Sequence, residues 1–279
     1  MVDDALRGSS GANPELRWLR AYYLRAAGRA DEADLDERAA GARETAFRLY
    51  WLGMRQAKGF MAKLEAPALR AAVALFQRAI TRSARPRFQH HHSVLMAAAR
   101  LRDRELMDAA AADLEFHWPE APATFDAIAQ FYLPVDRPRA LAALRWLVEH
   151  TRQAAPYCGL AQEALTRGDT AAAMRWYDQG IAAQADFAPI RWLRGMLHRK
   201  RGAHQEARRD FLAAILIEPQ QDMYFRSLRH LHRERGSWRE ALEDFESVLV
   251  RHPGEAHAIE ALREARTELD AARPGGERR

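Results

Sequence analysis

GSWREALEDFESVLV, residues 236–250, has the outline of an amphipathic helix with a glycine in front of it. The outline recurs upstream as GAHQEARRDF at 202–211 and GDTAAAMRWY at 168–177. Each phrase reads glycine, four residues, alanine, three residues, aromatic. Gly168, Gly202 and Gly236 lie 34 residues apart, and Ala173, Ala207, Ala241 and Tyr177, Phe211, Phe245 keep that spacing. Gly180, Ala214 and Val248 follow three residues after each aromatic, and Pro219 and Pro253 close the last two units. A fixed period of this length is the mark of one supersecondary unit written several times, each copy needing its neighbours to bury its apolar face.

One unit is legible in physical terms. Ala207, Phe211, Leu212, Ala214 and Ile215 fall at three- and four-residue spacings, an apolar helical stripe. Ile190, Leu193 and Leu197 form another stripe before Gly202, with Gly195 inside it. Gly202 sits between the two, where a chain leaving a helix often needs a positive φ. Small residues, Gly195 on one helix and Ala207 and Ala214 on the other, let two backbones approach closely. The unit is therefore a helix–turn–helix hairpin.

This phrase resembles the tetratricopeptide repeat (TPR) family. Tyr157, Leu160, Ala161, Gly168, Ala173 and Tyr177 carry the resemblance in the first unit, and Gly195, Gly202, Ala207, Phe211, Ala214 and Pro219 in the second. Phe225, Leu228, Gly236, Ala241, Phe245 and Pro253 carry it in the third. Trp192 stands one place from the family's usual tryptophan, and Arg229 replaces a small residue. The resemblance implies an all-α fold, a right-handed superhelical solenoid of antiparallel TPR-like hairpins. It divides the chain into a flexible start (1–13), divergent hairpins (14–151), three repeats with a capping helix (152–270) and a flexible basic tail (271–279). In the divergent part, GRADEA at 28–33 keeps the glycine–alanine spacing, after a helix whose apolar side is Leu16, Leu19, Tyr23 and Leu24. Ala72, Phe76 and Ala79 follow the second-helix pattern, Ala97, Ala109 and Phe116 mark two helices joined near Arg102–Asp103, and LPVDRP at 133–138 breaks another pair. Ile259, Leu262, Ala265 and Leu269 mark the cap.

Composition narrows the function classes. No run approaches the roughly 18 apolar residues of a membrane span, the start lacks the regions of a signal peptide, and the one cysteine, Cys158, cannot form an internal disulfide. These features point to the cytoplasm. The net charge is +5, but only Lys58, Lys63 and Lys200 of the 43 basic residues are lysine. Arginine and alanine enriched together are what a GC-rich genome produces, so the location of charge matters more than its sum.

Catalytic patterns are absent: no phosphate-cradling glycine loop, dinucleotide fingerprint or HExxH. The GSSG at 8–11 has no strand before it. His90, His91 and His92 at a helix start point about 100° apart and do not converge on one ion. His198 and His232, equivalent across one period, read as surface or packing residues rather than a shared metal site. The clusters Asp31, Glu32, Asp34, Asp36, Glu37 and Glu240, Asp244, Glu246 read as solvated faces. No catalytic residue, metal or cofactor is expected, and a small-molecule ligand is not expected either.

The charge that stands out is positional. Residues 191–209 hold seven Lys/Arg against Glu206 alone, and 226–239 hold five arginines against Glu234. In the TPR family the first helix of each hairpin lines a concave groove that takes a peptide or a partner helix. By that register the groove would present Trp192, Met196, Arg199 and Lys200, then Arg226, His230 and Arg233, with Cys158 and Gln162 from the first unit. Arginine offers bidentate contacts to carboxylates, and Trp192 and Met196 offer an apolar anchor. The resemblance thus implies a non-enzymatic scaffold or adaptor with an acidic peptide or helix as partner. The alternatives are RNA or other nucleic acid along the same stripe, or an accessory or chaperone subunit of a cell-envelope or secretion assembly. A merely solvated face is the plainer competitor. Asn13 is the chain's single asparagine, so the asparagine-based clamps and ladders of some TPR proteins are not expected.

Overall fold

The computed structural model describes residues 14–41, 45–57 and 65–271; the expected flexible start, with Asn13 and the GSSG run, and residues 272–279 of the tail lie outside them. The described residues form α-helices and no strand. They are α1 (Pro14–Ala26), α2 (Ala30–Ala40), α3 (Ala46–Gln56), α4 (Ala66–Arg82), α5 (Phe88–Leu101), α6 (Arg104–His117), α7 (Pro122–Tyr132) and α8 (Arg137–His150). Then follow α9 (Ala155–Thr166), α10 (Thr170–Ala183), α11 (Ala188–Lys200), α12 (His204–Ile217), α13 (Asp222–Arg235), α14 (Trp238–Arg251) and α15 (Ala256–Ala271). Two compact units divide the chain, Met1–Ala143 and Leu144–Arg279.

One device closes most of the hairpins. At Gly202 the amide donates to Arg199 O (3.0 Å), and the amide of Ala203 reaches back to His198 O (2.9 Å). This pair is the Schellman closure, which satisfies carbonyls left over at a helix end and needs a left-handed residue at the turn. Gly202 has φ +74°. Gly168 and Gly236 repeat the same two bonds one period before and after. The α5–α6 turn does so with Arg102 (φ +56°), although no glycine marks it. The helix after that turn starts on Asp103, whose carboxylate accepts from the Leu106 amide at 3.1 Å; Asp169 does the same for Ala172 at 2.8 Å.

In the C-terminal unit, α9 packs on α10 and α11 on α12, and α9, α11, α13 and α15 each touch the next in that series. The core is the repeated small and aromatic set: Ala207, Phe211, Ala214, Phe225, Ala241, Phe245 and Val248 are all buried. Gly195 belongs to this packing, because a Cβ there would stand 2.8 Å from the Phe211 ring. Arg229 holds the equivalent place in the next repeat and avoids the core by sending its guanidinium to Glu264 on α15, at 3.3 Å. Ala265 of α15 is buried, while Ile259 of the expected cap stripe is exposed.

In the N-terminal unit the second-helix pattern of α4 holds, with Ala72, Phe76 and Ala79 fully buried. Two expected faces are rotated. Tyr23 is exposed and the buried side of α1 is Trp18, Ala21 and Leu24. On α6, Ala109 and Phe116 face out, and Met107, Ala110, Ala111 and Leu114 face in. Four consecutive alanines give that helix little preference for one azimuth, so packing on α5 decided it. The acidic clusters also divide. Asp36, Asp210 and Asp244 are buried, contrary to the solvated reading of Asp36 and Asp244.

Candidate functional site

The seven cations of 191–209 part company once the helices are in place. Arg194 makes a two-pronged contact with the buried Asp210 (Nε and Nη2 donating at 2.8 and 2.6 Å) and a third bond to Asp178. Arg208 does the same with Asp244 at 2.7 and 2.8 Å. Arg209 pairs with Glu206, and Arg191 donates to the Ala185 carbonyl. These contacts are internal. What remains is Arg199, Lys200 and Arg201, consecutive at the end of α11 and without an ion pair among the described residues.

The arginines of α13 have partners. Arg226 pairs with Asp222 at 2.9 Å, Arg229 with Glu260 and Glu264, Arg233 with Glu264, and Arg235 with Glu240 at 3.5 Å. His230 lies 3.4 Å from Glu234 on the same helix. Arg233 and Arg199 are equivalent across the 34-residue period. The partner of Arg233, Glu264, corresponds to His230 one period earlier, so Arg199 meets no carboxylate there.

The three unpaired cations border a groove of about 1120 Å³ within the C-terminal unit. Its apolar lining includes Leu165 of α9 and Trp192, Leu193 and Met196 of α11, and Glu234 and Arg235 of α13 line it too. Trp192 is half-buried and its indole N–H donates to Ser227 Oγ at 2.8 Å, which ties α11 to α13 and fixes the ring. Met196 packs on the adjoining core. Thus Trp192, Met196, Arg199, Lys200 and Gln162 come together, while Arg226, His230 and Arg233 stand outside the lining. Arg201, His204 and Arg235 border the groove without having been singled out in the sequence. Arg201 follows Lys200 directly as the C-cap of α11, so a register of groove-facing helix positions passes over it.

Cys158 is no part of this lining. Burial pushes its thiol up to about 11, and the sulfur sits 3.8 Å from the Ala154 carbonyl, so the unreactive form dominates at neutral pH. His232 is buried, with Nε2 2.8 Å from Asp244 and Nδ1 2.9 Å from Ser237 Oγ. His198 lies 3.9 Å from Asp210, so each of the period-related histidines faces its own aspartate. No group of three His, Cys, Asp or Glu suited to a metal ion occurs among the described residues, and no described helix is long and apolar enough to cross a membrane.

The hairpin length, the glycine closure, the small–aromatic core and the order of helix contacts are those of the repeat that the sequence resembles. The chain is a TPR-like helical-repeat protein. No family model and no curated protein matches it. Among solved structures, it is similar to the MamA protein at 19% identity, covering 60% of this chain and 93% of that one (TM-score 0.45). A thermophilic TPR protein of Thermus thermophilus is similar at 15% identity over 81% and 99% of the two chains (TM-score 0.30). A chain of the Naa15/Naa10 structure bound to HypK-THB is similar at 14% identity over 97% of this TPR-like chain but 42% of its own (TM-score 0.48).

Proposed function

We propose that this TPR-like protein is a non-enzymatic scaffold that holds an acidic, amphipathic segment of a partner protein in the groove of its C-terminal unit. The observation that carries the reading is the coincidence of three unpaired cations, Arg199, Lys200 and Arg201, with the apolar side chains of Leu165, Leu193 and Met196 along one groove. Elsewhere in this unit Arg194, Arg208, Arg229 and Arg233 are neutralised by carboxylates of the same chain. Arg199 is half-buried and Lys200 and Arg201 are exposed, so a surface that holds the three together beside apolar area suits a ligand of complementary charge.

Nucleic acid fits less well. Single-strand binders present several aromatic faces for stacking, whereas Trp192 is the groove's one tryptophan among its described lining residues and is fixed by Ser227.

The test is titration of labelled amphipathic peptides, one rich in Leu and Glu and one with Lys for every Glu, into wild type and Arg199→Glu/Arg201→Glu. The reading expects the acidic peptide alone to bind wild type and to lose at least tenfold in affinity for the variant, about 1.4 kcal/mol. Equal affinity of both proteins for the acidic peptide, or preference for single-stranded RNA with a steep salt dependence, would reject it.

A further inference from the structure

The three consecutive histidines of the N-terminal unit are not accounted for by the groove. His90 and His91 are each 3% exposed at the start of α5, and the Nδ1 atom of each is buried without a hydrogen-bond partner. Their rings are packed against aromatics instead. His90 stacks on Tyr50 of α3 (centroids 4.8 Å apart), and Tyr50 in turn contacts Phe76 of α4. His91 lies against His117 and Trp118 at 5.2 and 5.4 Å, and His92 stacks on Phe88 and meets Phe131 of α7. Three adjacent imidazoles therefore join α5 to three neighbouring stretches of chain, α3, the end of α6 and α7, through contacts made by neutral rings.

The charges around them do little to accommodate protons. Arg87, just before α5, and the neighbouring His91 both oppose a charge on His90. From α6, His117 opposes a charge on His91, and Asp113 favours it from 3.6 Å, but that carboxylate is 61% exposed and screened by water. Asp126 of α7 favours a charge on His92. Tyr50 of α3 offers His90 a ring face, which attracts a cation, and α4 adds no charge acting on the three. Burial outweighs the favourable contributions, and all three imidazoles are held below their ordinary range.

We propose that the first turn of α5 is an acid-sensitive latch: in mildly acidic solution His90 and His91 take up protons, α5 opens, and its aromatic packing on α3 and α6 is released. An imidazole that is neutral when packed contributes stability that is complete above its unfolded value of about 6.5. That contribution falls away as the pH drops toward the folded value, which for His90 is about 4. From His90 alone, the ratio of open to closed forms rises about 20-fold between neutral solution and pH 5. The groove of the C-terminal unit contains none of these residues, so the latch makes one unit conditional on pH without acting on the groove's own contacts.

The experiment is hydrogen exchange on the full chain near pH 7.5 and pH 5, corrected for intrinsic rates, with α5 amides compared to those of α12. The comparison is repeated on His90→Gln/His91→Gln, whose side chains stay neutral. The latch requires α5 opening in wild type to rise by tens-fold relative to α12, and the rise to vanish in the variant. A flat ratio in wild type, or the same rise in the variant, overturns it. Should the variant fail to fold at neutral pH, NMR titration of the assigned His90 and His91 rings in wild type decides. Titration of either ring below pH 5 supports the latch, and titration of both at or above the ordinary value overturns it.

Discussion

Asp244→Ala tests the reasoning about buried charge most directly. The Asp244 carboxylate is 3% exposed and accepts three short bonds, two from Arg208 at 2.7 and 2.8 Å and one from His232 at 2.8 Å. Breaking a buried pair by removing one partner costs about 3–5 kcal/mol, because the other charge stays behind. Arg208 is not stranded completely. Glu240 lies 3.4 Å away and Glu243 3.8 Å, so the guanidinium can turn to them. His232 keeps Ser237 but loses its partner at Nε2 while 1% exposed. The lower end, about 3 kcal/mol, is therefore expected, or roughly 100-fold more frequent opening of α13 and α14. Because repeat arrays unfold in parts, the assay is hydrogen exchange of those helices on the full chain rather than a single melting midpoint. Arg208→Met in the same background removes the stranded charge and should restore about 1–3 kcal/mol. A change in α14 opening below about threefold, roughly 0.7 kcal/mol, or no recovery in the double variant, would refute the assignment of this pair to the repeat's stability.

Three further outcomes follow from backbone and surface. Gly195→Ala gains about 1 kcal/mol of helix propensity but forces a Cβ to 2.8 Å from the Phe211 ring, and overpacking costs about 1–3 kcal/mol. Net destabilisation on urea denaturation is expected, and a more stable variant would show that the ring moves freely. Arg102→Gly relieves a left-handed residue at the α5–α6 turn and should stabilise the N-terminal unit by about 0.5–1 kcal/mol, measured by its denaturation midpoint. Arg199→Glu/Arg201→Glu should leave stability within about 0.5 kcal/mol of wild type, because neither arginine has an ionic partner among the described residues. A large loss on thermal denaturation would show that these cations serve the fold.

Much of the hairpin architecture was legible before any coordinates. A period of 34 fixes where helices stop, since Gly168, Gly202 and Gly236 mark the positive-φ turns and Ala207, Phe211 and Ala214 the buried face. These are local requirements, set by backbone sterics and by helical spacing, so sequence alone can carry them. The α5–α6 turn was legible near Arg102–Asp103, but not its left-handed residue, which the closure bonds hold without a glycine.

The azimuth of α6 and the pairing of charges were decided only by the tertiary structure. Met107, Ala110, Ala111 and Leu114 turned inward rather than Ala109 and Phe116, because an alanine-rich helix has nearly equal faces until a neighbour covers one. Arg194 and Arg199 look alike in sequence, yet one is engaged by Asp178 and Asp210, each 16 positions away, and the other makes no ion pair among the described residues. Ion pairing depends on which helices lie side by side and how each is rotated. The 34-residue period thus determined the repeated hairpin, and the packing determined which of the seven cations of 191–209 pair with carboxylates of the same chain.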